Sequence, residues 1–200
     1  MRIAPSLDPL RGVEVINGPI SLGQEFTDGG GAVYGNGALR SIEGLSGLES
    51  IVSLYAAGND ALVSLAGLEN VQVVYGSITL GSGPNKKRQE SVANSLTSLD
   101  GLSSVTTIGG SLSITGEDGL TDLHGLEQLR TLQTLHLSDL ARLENLDALH
   151  GLEAVRWVSI FDNPCLDEAE VDELVAAIGE QNIGSITRSG NGQDCAELGR

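Results

Sequence analysis

LTSLDGLSSVTTIGGSLSITGEDG, residues 96–119, carries apolar residues at Leu96, Leu99, Leu102, Val105, Ile108, Leu112 and Ile114. The next stretch repeats them at Leu120, Leu123, Leu126, Leu129, Leu132, Leu135 and Leu137. Adding 23 to each gives Leu143, Leu146, Leu149, Leu152, Val155, Val158 and Ile160, seven matches without a gap. The N-terminal half follows the same script, first through Leu39, Ile42, Leu45, Leu48, Ile51, Leu54 and Ala56. Leu62, Leu65, Leu68, Val71, Val74, Ile78 and Leu80 make the next unit, and Leu7, Leu10, Val13, Ile16, Ile20 and Leu22 the first. Six units therefore run from about residue 7 to 160.

The spacing within a unit predicts its construction. Steps of three suit a turn-rich or 3₁₀ side, where i and i+3 share a face. The closing step of two, as in Leu112 and Ile114, is strand periodicity. Each unit thus contributes a short strand, and equivalent strands stack in parallel over one shared core that no single unit could bury. The expected fold is an α/β solenoid with one parallel sheet, forming a single domain over 1–200. A glycine column, Gly44, Gly67, Gly101 and Gly125, is expected at the bend between the strand return and the turn-rich side.

After Ile160 the period changes. DEAEVDELVAAIG, 167–179, spaces Val171, Leu174, Val175 and Ile178 as a helix, with acidic residues in its first turn and Gly179 after its last apolar residue. Ile183 and Ile186 offer one further strand before Cys195. The segment 161–195 reads as a helical cap covering the last unit's apolar edge. The only cysteines, Cys165 and Cys195, would close a loop around it, so a disulfide is favoured over two reduced thiols.

Composition bounds the function. Of 200 residues, 40% are hydrophobic but only 3% aromatic, so the core must be Leu, Ile and Val. A net charge of −16 argues against nucleic acid and anionic membrane surfaces as partners. No stretch is apolar enough for membrane insertion. The opening MRIAPSLDPL has no apolar signal core, so an exported chain would have shed its signal, a cytosolic chain being the alternative. With only six residues before Leu7, the first unit is expected to expose an apolar edge that another chain or domain could cover.

GLSSVTTIGGSLSITGEDGLTDLHGL (101–126), DNPCL (162–166) and EVDELVAAIG with SGNGQDC (170–179 and 189–195) resemble bacterial receptor L-domain-like leucine-rich repeat proteins. The resemblance covers nearly the whole chain. It implies a right-handed leucine-rich repeat coil stack with a helix-capped C-terminus, export to an extracellular or cell-surface location, and ligand or protein recognition without catalytic residues.

Candidate sites follow from the register. Between the inward strand positions lies an outward column, Ser21, Tyr55, Thr79, Ser113, His136 and Ser159, flanked by Trp157 and Phe161, which could form a flat recognition surface for a protein or glycan. Two insertions, 23–38 and 81–95, follow strands two units apart, and rigidly held loops often carry binding. The first holds Phe26 and Tyr34; the second holds Lys86, Lys87 and Arg88, with the chain's only two lysines. A stack of Asp100, His124 and Asp147 on successive units is a conceivable metal site, though charged residues at a solvated bend are the plainer account. No nucleophile–base order, phosphate loop or calcium spacing is present, so no cofactor is expected and an enzyme is disfavoured. The expectation is a non-catalytic recognition module. The alternative is a structural component that self-associates, for instance as a homodimer, through the first unit.

Overall fold

The computed structural model describes residues 6–23, 35–81, 94–193 and 195. Apolar residues at steps of three form short 3₁₀ turns, among them Glu43–Leu45, Asp100–Leu102 and Asp147–Leu149, each opened by an acidic residue. A serine two residues earlier accepts the first free N–H in two of them: Ser41 Oγ from Glu43 N at 3.1 Å, Ser98 Oγ from Asp100 N at 3.0 Å.

The chain then returns through strands of one parallel sheet. In chain order these are β1 (Ile20–Leu22), β2 (Ser50–Ile51), β3 (Leu54–Ala56), β4 (Val73–Val74), β5 (Ile78–Leu80), β6 (Thr107–Ile108), β7 (Ser111–Thr115), β8 (Thr131–Ser138), β9 (Ala154–Phe161) and β10 (Ile183–Ser189). β1, β3, β5, β7, β8, β9 and β10 pair successively, while β2, β4 and β6 pair among themselves and join the sheet at β8. The register is Leu54↔Ile78↔Leu112↔Leu135↔Val158, so the strand columns expected from the repeat are the observed ones.

Beneath the sheet the leucine positions fuse into one core. Ile42, Leu45, Leu65, Leu99, Leu126, Leu135 and Leu149 have no exposed surface. The glycine column sits within the turn-rich side, which corrects its expected place at the bend. A Cβ on Gly101 would strike the carbonyl of Leu65 in the preceding unit; Gly125 meets the Leu99 carbonyl in the same way and adds a φ of +107°. These glycines let neighbouring units approach.

The C-terminal segment contains the expected helix, α1 (Glu168–Ile178). Asp167 accepts Ala169 N at 3.0 Å, and Gly179, at φ 84°, ends the helix. Val171, Leu174 and Ile178 are buried. Cys165 and Cys195 form a disulfide with Cα atoms 4.5 Å apart, tying the start of α1 to the chain beyond β10. The helix lies against the last unit, where Glu170 Oε2 accepts Leu146 N at 3.3 Å and Leu143, Leu146 and Leu149 are covered. β10 continues the sheet past β9, and this added strand stays open: none of its residues is buried. Arg188 takes the inward position that Ile160 holds in β9, and its guanidinium turns to Asp172 at 2.6 Å and Glu168 at 3.3 Å. No helix among the described residues is long and apolar enough to cross a membrane.

At the opposite edge Ile20 and Leu22 are each 7% exposed, whereas their counterparts deeper in the stack are fully covered. Leu10 and Val15 are exposed there, so the first unit does present apolar surface.

Candidate functional site

Strand alternation places the predicted outward residues in one row. Tyr55, Thr79, Ser113, His136 and Ser159 are direct register partners, and Thr187 of β10 extends them. Neighbours in such a row stand about 4.8 Å apart, the parallel strand spacing. Ser159 and Thr187 hydroxyls lie 3.4 Å apart. Tyr55 is half-buried, as are Thr79, Ser113, His136 and Ser159, and its hydroxyl oxygen is fully buried, while Ser21 and Thr187 at the two ends of the row are exposed. Trp157 is 43% exposed, with the Arg156 guanidinium 4.2 Å from its ring centroid.

The preceding outward column is spent internally. Ser53 Oγ accepts Ser77 N at 3.1 Å, and Ser77 Oγ accepts Ser111 N at 3.0 Å, pinning the corner where the chain turns from β4 to β5 and from β6 to β7. The corner is a residue shorter in the later units, a step of three from Leu132 to Leu135 against four from Ile108 to Leu112, so β8 and β9 run straight for eight residues and Trp157 projects.

A second group gathers at the carboxyl ends of the strands, where parallel sheets commonly take ligands. The Ser138 hydroxyl lies 3.2 Å from His136 Nε2 and donates to Thr115 Oγ1 at 3.2 Å; the Phe161 ring stands 6.4 Å from the imidazole. Burial pushes the His136 imidazole below its ordinary value, against the pull of Asp139, so it is neutral at neutral pH. Burial, and next the Asp162 carboxylate, push Asp139 up. Asp139 and Asp162 have φ of 55° and 53° in the column where other units place Gly58, Gly81, Gly116 and Gly190. Imidazole, hydroxyls and the aromatic rings suit a hydrogen-bonding ligand, with the Arg156 guanidinium and the Asp139 and Asp162 carboxylates at the margin.

Both insertions begin at these carboxyl ends. Gly23 follows β1 and Gly81 follows β5, with β3 and Tyr55 between them. Lys86, Lys87 and Arg88, with Phe26 and Tyr34, lie outside the described residues. The chain re-enters at Asn36 and at Asn94, which belong to a buried ladder that the repeat analysis missed. Asn59 Nδ2 donates to Leu22 O at 2.5 Å and Asn94 Oδ1 at 2.7 Å; Asn94 Nδ2 donates to Ala56 O at 3.0 Å and Glu117 Oε1 at 2.6 Å. Asn163 and Asn191 repeat the pattern toward the C-terminus, interrupted by Leu140, whose N–H is taken by Asn163 Oδ1 at 3.0 Å. Each rung satisfies backbone groups freed where a strand ends. The signal was available: Asn36 and Asn59 are 23 apart, and Asn94, Glu117, Leu140 and Asn163 keep the same step after the insertion.

On the turn-rich side His124 stands 3.5 Å from Asp100 and 2.5 Å from Glu127, while Asp147 lies beside His150 at 3.9 Å. The hydrogen bond to Glu127, then its charge and that of Asp100, hold the His124 imidazole above its usual value. The conceived Asp100–His124–Asp147 stack therefore forms only in part, and among the described residues no group of three such side chains could hold a metal.

Comparison with protein-family models, curated proteins and solved structures finds no match to this chain.

Proposed function

We propose that the chain is a right-handed leucine-rich repeat solenoid of the receptor L-domain-like kind, and that it serves as a non-catalytic recognition module of an exported or cell-surface protein. The carrying observation is the in-register outward row from Tyr55 to Ser159, with Trp157 and Phe161 at its C-terminal end. A hydroxyl-bearing strand face beside aromatic rings favours a protein or glycan ligand, because hydroxyls and a neutral imidazole can donate and accept while rings stack. The disulfide favours an oxidising compartment.

Screening against immobilised glycans and surface proteins tests this reading. Trp157→Ala and Phe161→Ala together are expected to weaken any captured ligand by about tenfold or more at unchanged melting temperature. A ligand indifferent to both, but lost when 82–93 is shortened, would transfer recognition to the insertions. The second reading, self-association through the first unit, draws on the exposed Leu10 and Val15. It requires a dimer in light scattering that Leu10→Ser dissociates, and the −16 charge works against it.

A further inference from the structure

The sheet ends on a strand that is accessible along its outer edge. Ile20 N donates to Ser53 O at 2.8 Å and Leu54 N to Ser77 O at 2.9 Å, so a residue at this register aims its N–H at the following strand. In β10 that residue is Ile186, the partner of Val158. Arg188, two residues on, shares its edge by strand alternation. Among the described residues no strand lies beyond β10.

Exposed edges are usually guarded by lysine, proline, a bulge or an inward-pointing charge. Ile-Gly-Ser-Ile-Thr-Arg-Ser has only the last of these, Arg188, whose guanidinium is neutralised by Asp172 and Glu168. Ile186 occupies a column whose other members are covered, yet it is 37% exposed. It borders a groove of about 360 Å³ between β10 and α1, shared with Ile183 and Val175. Two exposed acids, Asp172 of α1 and Glu180 of the turn after it, line this groove.

We infer that the free edge of β10 is a docking site for an extended basic segment of a partner protein, which adds to the sheet as a further strand. Its backbone pairs with Ile186 and Arg188, an aliphatic side chain enters the groove beside Val175, and its lysines or arginines meet the acidic rim. A second copy of the chain is the poorer occupant: its own free edge, β1, offers three residues, and each copy carries −16. This edge adjoins the outward row, which Thr187 of the same strand extends, but it uses backbone groups where the row uses outward side chains, so either reading can fail without the other.

The probe is a fluorescein-labelled, acetylated heptapeptide of sequence Lys-Val-Lys-Ile-Lys-Val-Lys, followed by anisotropy and by amide hydrogen exchange of the whole protein. Binding is expected to slow exchange at Ile186 and Arg188 and to change the fluorescence of Trp157, which pairs with Ser185. The Glu180→Lys variant, altered only at an exposed position that lines the groove, should bind at least about threefold more weakly. Ile186→Pro should abolish the exchange protection; should it fail to fold, the charge variant still decides. Absence of binding, equal binding of the analogue with Glu for Lys, or binding without protection at Ile186 and Arg188 would overturn the inference. So would oligomers of the protein alone with those two amides already protected.

Discussion

Glu117 stands in the ladder where other rungs carry asparagine, fully buried, accepting from Asn94 N at 3.0 Å, Asn94 Nδ2 at 2.6 Å and Leu96 N at 3.3 Å. Burial holds its carboxyl above the usual range, with the Asn94 and Leu96 donors working against that. A carboxyl raised in the folded state stabilises the fold below its unfolded value, and the contribution is lost as pH rises through the folded one. Acidification from about pH 7 toward 5 is therefore expected to raise the melting temperature, and Glu117→Gln to flatten that rise. Asp139 and His124, both raised, add to this slope and His136, lowered by burial, opposes it, so the role of Glu117 is read from the difference between the two proteins. Calorimetry of both proteins across this range checks it; identical slopes would clear Glu117 of the role. The ladder's spacing could have been read from the repeat. That its rungs are buried could not, since Asn59 and an exposed loop asparagine look alike in a string.

At the scale of elements, the C-terminal segment shows how a helix can replace 3₁₀ turns in the last unit. Val171, Leu174 and Ile178 fill the positions beneath the sheet, yet β10 keeps an exposed inner face, no later unit among the described residues supplying side chains. The helix and the extra strand were legible from spacing; the open strand was not, because burial there depends on a neighbour that the pattern cannot show to be missing. The disulfide spans a separation of 30 residues around both elements. Its reduction is expected to cost about 3 to 4 kcal/mol through the freed chain entropy. The loss should be local first: amide exchange in α1 and β10 should accelerate under reductant before that in β5 and β7. Uniform acceleration would mean that the bond holds the entire fold rather than its end.

The molecule as a whole rests on one core running the length of the sheet, where each unit contacts its two neighbours. Leu126 lies fully buried midway along it. Leu126→Asp would place an unpaired charge there, with no donor in reach of the leucine column. Loss of the cooperative melting transition is the expected outcome, followed by circular dichroism. Wild-type melting would show that the column is not the core.

Periodicity carried the strand register, the shared core, the helix and the cysteine pairing, because each depends on apolar spacing or chain order, which a linear pattern records directly. Folding in three dimensions settled the rest. It withdrew Ser53 and Ser77 into corner hydrogen bonds, half-buried Tyr55, joined His136 to Ser138 and Phe161, and put Glu127 rather than Asp147 beside His124. These outcomes turn on small offsets between adjacent units, a residue more or less at a corner, that change which side chain meets solvent while leaving the apolar period intact.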